Sequence, residues 1–186
     1  MKYYELSDDI YFPERWHLGD IMETGDNWQF VDGKKMDEKL LPKDLHVKVD
    51  HNGIPMDYTT NGAFSVPIVS ERIKTQLSGV KGLQFIPVAI EGKAVDLKYF
   101  IMIITNQLDC VNEKLSVFGK FVENDPIRPD KAGHYSWFTK LIVDPAKING
   151  EDIFRINKAE LYLVVNERVK AAIEDISATG VKFTEV

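Results

Sequence analysis

The same signature occurs twice in this chain, and that repetition limits what it can fold into more than any other feature. Residues 66–88 read VPIVSERIKTQLSGVKGLQFIPV, and residues 162–186 read YLVVNERVKAAIEDISATGVKFTEV. With two extra residues allowed before the second glycine, Val69, Glu71, Arg72, Lys74, Gly82, Phe85 and Val88 align with identical residues. These are Val165, Glu167, Arg168, Lys170, Gly180, Phe183 and Val186. At ordinary residue frequencies about one or two such matches arise by chance. The pattern predicts a structural repeat.

Each copy reads as strand, short amphipathic helix, strand. An apolar run ends at Ser70 or Asn166, residue types whose side-chain oxygen can accept a bond from a free helix N–H. Glu71 and Glu167 then fall in the first turn, where the helix dipole favours a carboxylate. Ile73, Leu77 and Val80 in one copy, and Val169, Ala172, Ile173 and Ile176 in the other, follow at helical spacing. Gly82 and Gly180 suit the left-handed turn that ends a helix. Alternating apolar residues after each glycine indicate the second strand. Pro67 and Pro87 interrupt only the first copy. Proline cannot donate to a ladder, so those strands are expected at an edge or only partly paired, and the second copy in a central position.

Arg72 and Arg168 are unusual, since a cation at a helix N-terminus is disfavoured by the dipole. Its recurrence predicts a compensating bond to a carboxylate or to backbone carbonyls. Ser70, Arg72, Asn166 and Arg168 are therefore read as structural anchors.

The remaining segments predict an α+β fold: mixed sheets, the two similar strand–helix–strand units and a turn-rich N-terminal β region. Residues 45–49 alternate as a half-buried strand, and residues 97–105 are almost wholly apolar, as in a strand covered on both faces. Residues 123–134, with Pro126, Pro129 and Gly133, read as an exposed loop. Residues 137–143 and 154–156 read as strands. No linker-like stretch divides the chain, so residues 1–186 are expected to form a single domain containing both repeats. A net charge of −6 disfavours nucleic acid and anionic membrane as partners. No apolar stretch is long enough to span a bilayer and the first residues have no signal-peptide pattern, so a cytoplasmic location is expected.

Motifs that carry chemistry are scarce. His17, His46, His51 and His134 lack the spacing of a helical metal pair, so neither a metal site nor a cofactor is expected. Cys110, beside Asp109, has no neighbouring histidine and reads as a packed thiol. Trp16, Trp28, Tyr135 and Trp137 lie in or beside turn-rich segments. They are the candidates for contact with a partner, because interfaces are enriched in Trp, Tyr and Arg.

Several strings, taken in order, carry a resemblance that covers nearly the whole chain. They are Arg15-Trp16-His17-Leu18-Gly19, Pro55-Met56-Asp57-Tyr58, Val69-Ser70-Glu71-Arg72, Gln84-Phe85-Ile86-Pro87-Val88, Asp109-Cys110-Val111 and the terminal box from Val165-Asn166-Glu167-Arg168 to Gly180-Val181-Lys182-Phe183. The chain resembles a bacterial family first catalogued as a domain of unknown function and later grouped with immunity proteins of polymorphic toxin systems. Asn166 stands where that family usually has serine, a conservative N-cap exchange. The resemblance implies an intracellular protein that binds and blocks a cognate toxin domain without catalysis. It transfers no binding or catalytic residues. The competing reading is a small enzyme or ligand-binding protein with a cleft near Asp109, Cys110 or Arg72. A self-associating protein, for instance a homodimer, is the third.

Overall fold

The computed structural model describes residues 1–62, 64–92 and 97–186. Its strands are β1 (Tyr3–Asp8), β2 (His17–Ile21), β3 (His46–His51), β4 (Tyr58–Thr60), β5 (Pro67–Ser70), β6 (Leu83–Ile90) and β7 (Tyr99–Ile104). They continue as β8 (Gln107–Leu108), β9 (Val117–Lys120), β10 (Tyr135–Lys140), β11 (Ile153–Ile156), β12 (Ala159–Asn166) and β13 (Val181–Glu185). Two α-helices, α1 (Glu71–Gln76) and α2 (Glu167–Asp175), follow β5 and β12 directly. The fold is mostly β, and no helix among the described residues is long and apolar enough to cross a membrane.

One sheet has the order β2-β3-β6-β7-β5-β4, a second β13-β1-β12-β11-β8, and β9 with β10 makes a separate ribbon. The six-stranded sheet nearly closes on itself. Leu18 of β2 bridges Asn61 just past β4, and the Gly62 N–H donates to the Leu18 carbonyl at 3.1 Å.

Strand alternation sorts the side chains into three apolar layers. In β7, Phe100, Met102 and Ile104 join Val69, Ile73 and Leu77 in a central layer shared with Leu163, Val165, Val169 and Ile173. The intervening Tyr99, Ile101 and Ile103 face the opposite way, onto Trp16, Phe30, Ile68 and Ile86. Val164 of β12 turns outward to a third layer with Cys110, Phe154 and Ile156. β7 is thus covered on both faces. That explains the unbroken apolar run of β7, every residue of which is buried.

The two helical units make the same backbone bonds. The Ser70 N–H donates to the Asp57 carbonyl at 2.8 Å, and that of Asn166 to Asp152 at 2.9 Å. The Glu71 N–H donates to Lys98 at 2.9 Å, and that of Glu167 to Lys2 at 3.0 Å. Ser70 lies opposite Tyr99 and Asn166 opposite Tyr3. The Gly82 carbonyl accepts from Thr105, and the Gly180 carbonyl from Asp9, both at 2.9 Å. Gly180 has φ +80°, and an added Cβ would lie 2.2 Å from the Tyr58 carbonyl oxygen. Only glycine fits there.

The expectation drawn from the prolines is corrected. β5 and β6 are interior strands, whereas β13 of the second segment lies at a sheet edge. Partial pairing does occur: β3 meets β6 only at Ala89 and Ile90, beyond Pro87. Asn27–Phe30 form a 3₁₀ turn capped by Asp26.

Candidate partner-binding surface

The anchor residues do take acceptors within the protein, and the acceptors are two aspartates. Asp57, 3% exposed, accepts from Ser70 Oγ at 2.7 Å, Arg72 Nη1 at 2.7 Å, and the Thr179 N–H and Oγ1 at 3.0 and 3.2 Å. Arg72 also donates to the Ile176 carbonyl, at the end of α2. One carboxylate thus ties β4, the start of α1 and the loop after α2 together. In the other unit Asp152 accepts from Asn166 Nδ2 at 2.5 Å and from Arg168. Asn166 also caps its helix, accepting from the N–H groups of Arg168 and Val169 at 3.0 Å each. Ser70 occupies the same cap position but makes no such bond; its hydroxyl donates to Asp57 instead. Asp57 and Asp152 escape a reading confined to the aligned segments. A carboxylate 13 or 14 residues before each cap was the available signal.

Through these bonds Arg72 links Asp57, before β4, to the end of α2. Cys110 is fully buried, and burial together with neighbouring Asp109 pushes its thiol up to about 12. An activated thiol shifts the other way. Among the described residues no group of three or more His, Cys, Asp or Glu is placed to hold a metal ion.

The four aromatic candidates separate. Trp16 is wholly buried and donates from its indole N–H to Thr59 Oγ1 at 2.8 Å, so it is a core residue with no face to offer a partner. The other three converge on the β9–β10 ribbon and the loop that joins its strands. Trp28 and Tyr135 line one small cavity of about 170 Å³ with Phe121, Arg128, Lys131 and Tyr162. Lys131 Nζ sits 4.1 Å above the Trp28 ring and 3.8 Å from Glu160, whose carboxylate is 3.7 Å from His134 Nδ1. Lys131 is thereby held by a ring face and a carboxylate together.

Trp137 is half exposed on the outside of the ribbon. Its indole lies over Gly119, where a Cβ would come within 2.4 Å of the ring nitrogen. Elsewhere on the surface Val117 of β9, Val122 and Ile127 of the connecting loop and Leu161 of β12 are also exposed, Ile127 at 82%. The inner side of the ribbon is fixed by edge-on contacts of Phe118 with Tyr135 and of Phe138 with Tyr162. Glu113 accepts from Lys120 at 2.6 Å and from Tyr135 at 2.7 Å, which holds its carboxyl below the usual range. Burial, then the bond to Glu113, pushes the Tyr135 hydroxyl up. The result is an aromatic support packed on its inner side, with Trp137 half exposed on its solvent side and the Glu113–Lys120 pair beside it. Such a surface can bury an anchor residue of another protein.

The model of a family described as "Immunity protein family (Imm11)" matches residues 5–186. No curated protein matches the chain.

Proposed function

This chain belongs to the Imm11 immunity protein family, and we propose that it acts by binding a cognate toxin domain in the cytoplasm and holding it inactive. The complex is stoichiometric and involves no turnover. The observation that carries the reading is half-exposed Trp137, lying over Gly119 on a ribbon whose inner side is packed by Phe118, Tyr135, Phe138 and Tyr162. A preorganised aromatic anchor loses little freedom on binding, so more of its contact energy becomes affinity. The test is co-expression with the product of the adjacent reading frame. The expected result is rescue of growth together with a one-to-one complex on a sizing column, both lost in Trp137→Ala. Rescue by trace amounts of this protein, with the toxin chemically altered, would overturn the reading.

The two strand–helix–strand segments are, in the same reading, copies of one four-stranded unit. The first has the order β6-β7-β5-β4 and the second β13-β1-β12-β11. The matched caps, aspartates, lysine carbonyls and glycines support this, as do Lys98-Tyr99 and Lys2-Tyr3 at equivalent places. β1, from the start of the chain, fills in the second copy the place that β7 fills in the first. The Val186 N–H donates to the Tyr3 carbonyl at 3.1 Å, so a short turn can join those ends. A circular permutant that links Val186 to Met1 and opens after Asp9 is expected to fold cooperatively. Failure of that permutant to fold would count against the equivalence.

A further inference from the structure

We propose that the outer edge of β13 pairs with the same edge of a second copy of this chain, antiparallel about a twofold axis through Phe183. The argument starts from the alternation of ladder bonds. The Gly180 carbonyl accepts from Asp9 and the Val186 N–H donates to Tyr3, so even-numbered residues of β13 bond to β1. The N–H and C=O groups of Val181, Phe183 and Glu185 therefore point away from β1. Among the described residues no strand lies on that side.

The corresponding edge of β6 shows how such a row is dealt with in this fold. There too the odd-numbered residues point outward. The Ala89 N–H donates to Leu45 and the Glu91 N–H to Val47, both at 2.9 Å, so an extended segment of β3 is seated on that edge. Just short of β3, Pro87 removes its outward N–H, while Leu83 and Phe85 keep theirs. β13 has neither device. Pro87 lies opposite Phe100, just as Glu185 lies opposite Tyr4, and Glu185 keeps its N–H. An unblocked edge is a template for strand addition.

A second β13 fits because the edge is self-complementary. A twofold at Phe183 sets Phe183 against Phe183 and Val181 against Glu185, and every outward N–H meets an outward carbonyl. Lys182 falls opposite Thr184, not another lysine, so no like charges stand directly across the pair. Facing aromatics and opposed β-residues of this kind favour pairing. Among the other edges, β8 has two residues, and the β9–β10 ribbon contains Gly119 and an irregular register. This pairing is independent of toxin binding.

The test is sedimentation equilibrium of the purified chain from micromolar to millimolar concentration, with hydrogen exchange read at single amides. The expected result is a reversible monomer–dimer equilibrium in which the amides of Val181, Phe183 and Glu185 gain protection as dimer forms. Glu185→Pro copies the device already present at Pro87 and leaves the β1 bonds intact. It removes two interchain bonds, one at each end of the pair. The half-dimer concentration should then rise by about tenfold to a hundredfold with the denaturation midpoint unchanged. A monomer at every concentration would overturn the proposal, as would a dimer that leaves these three amides unprotected. Protection of the same amides by added toxin alone, without self-association, would assign the edge to the toxin and equally overturn it.

Discussion

The two helix starts share the letters Glu-Arg after a polar cap, yet the structure gives them unequal weight. Asp57 is buried to 3% exposure and collects bonds from Ser70, Arg72 and Thr179, so it joins both halves of the molecule. Asp152 is 25% exposed, its Arg168 partner 67% exposed, and both bond only within their own unit. A motif can thus recur in sequence while its energetic role is set by what packs across from it. The buried site holds a charge that water cannot reach; the open one is screened.

That contrast can be broken most directly at the aspartates. Asp57→Ala leaves Arg72, Ser70 and the Thr179 N–H without their acceptor, and is expected to lower stability by about 3 kcal/mol. Asp152→Ala should cost about 1 kcal/mol or less. Urea unfolding of the two variants measures the difference, and equal midpoints would remove the distinction.

Arg155 sharpens the comparison from the other side. It is fully buried and donates to the Glu160 carbonyl at 2.5 Å, while its Nε and Nη2 have no acceptor among the described residues. Burial lowers its pKa to about 10. A cation with a depressed folded pKa costs stability wherever it stays charged, so the cost is present in full below about pH 10. It is relieved only above that value, where the folded side chain gives up its proton before the unfolded one does. Arg155→Met is expected to raise stability at pH 7 by about 1–2 kcal/mol, in contrast to a loss at Arg72→Met, as read by thermal unfolding.

At the caps, Asn166→Ala should cost about 1 kcal/mol, because its side chain caps two helix N–H groups. Ser70→Thr should keep the bond to Asp57, and the loss in Ser70→Ala should shrink sharply in an Asp57→Asn background. A double-mutant cycle measures that coupling. Trp137→Ala should move stability by no more than about 0.5 kcal/mol and weaken toxin binding by at least about tenfold. Titration calorimetry against the toxin domain checks the second figure.

The helical units were legible in the sequence because caps, first-turn acids, apolar spacing and end glycines are local requirements of a short helix. β7 was legible because a strand covered on both faces has no polar period to confuse. The prolines were half informative, since β5 and β6 are interior strands but β3 pairs with β6 only beyond Pro87. Pro87 is tolerated there because it lies where β3 fails to reach β6. Among the aromatics, Trp16 and Trp137 have the same chemistry and similar turn-rich surroundings in sequence. One is enclosed by Tyr99 and Thr59, and the other lies on the outside of a ribbon. Nothing within a few residues of either distinguishes them.

By itself the sequence determined the family, the two strand–helix–strand units and the need of each helix-start arginine for an acceptor. These follow from contacts between residues near one another in the chain, or from a string of residues matched in order. Tertiary structure alone decided that the acceptors are Asp57 and Asp152, and that β1 lies between β12 and β13. It also decided that Trp28 and Tyr135 share a cavity across more than a hundred residues. Each of these depends on which apolar faces are buried together. That is settled by the packing of whole sheets, and no local pattern of side chains encodes it.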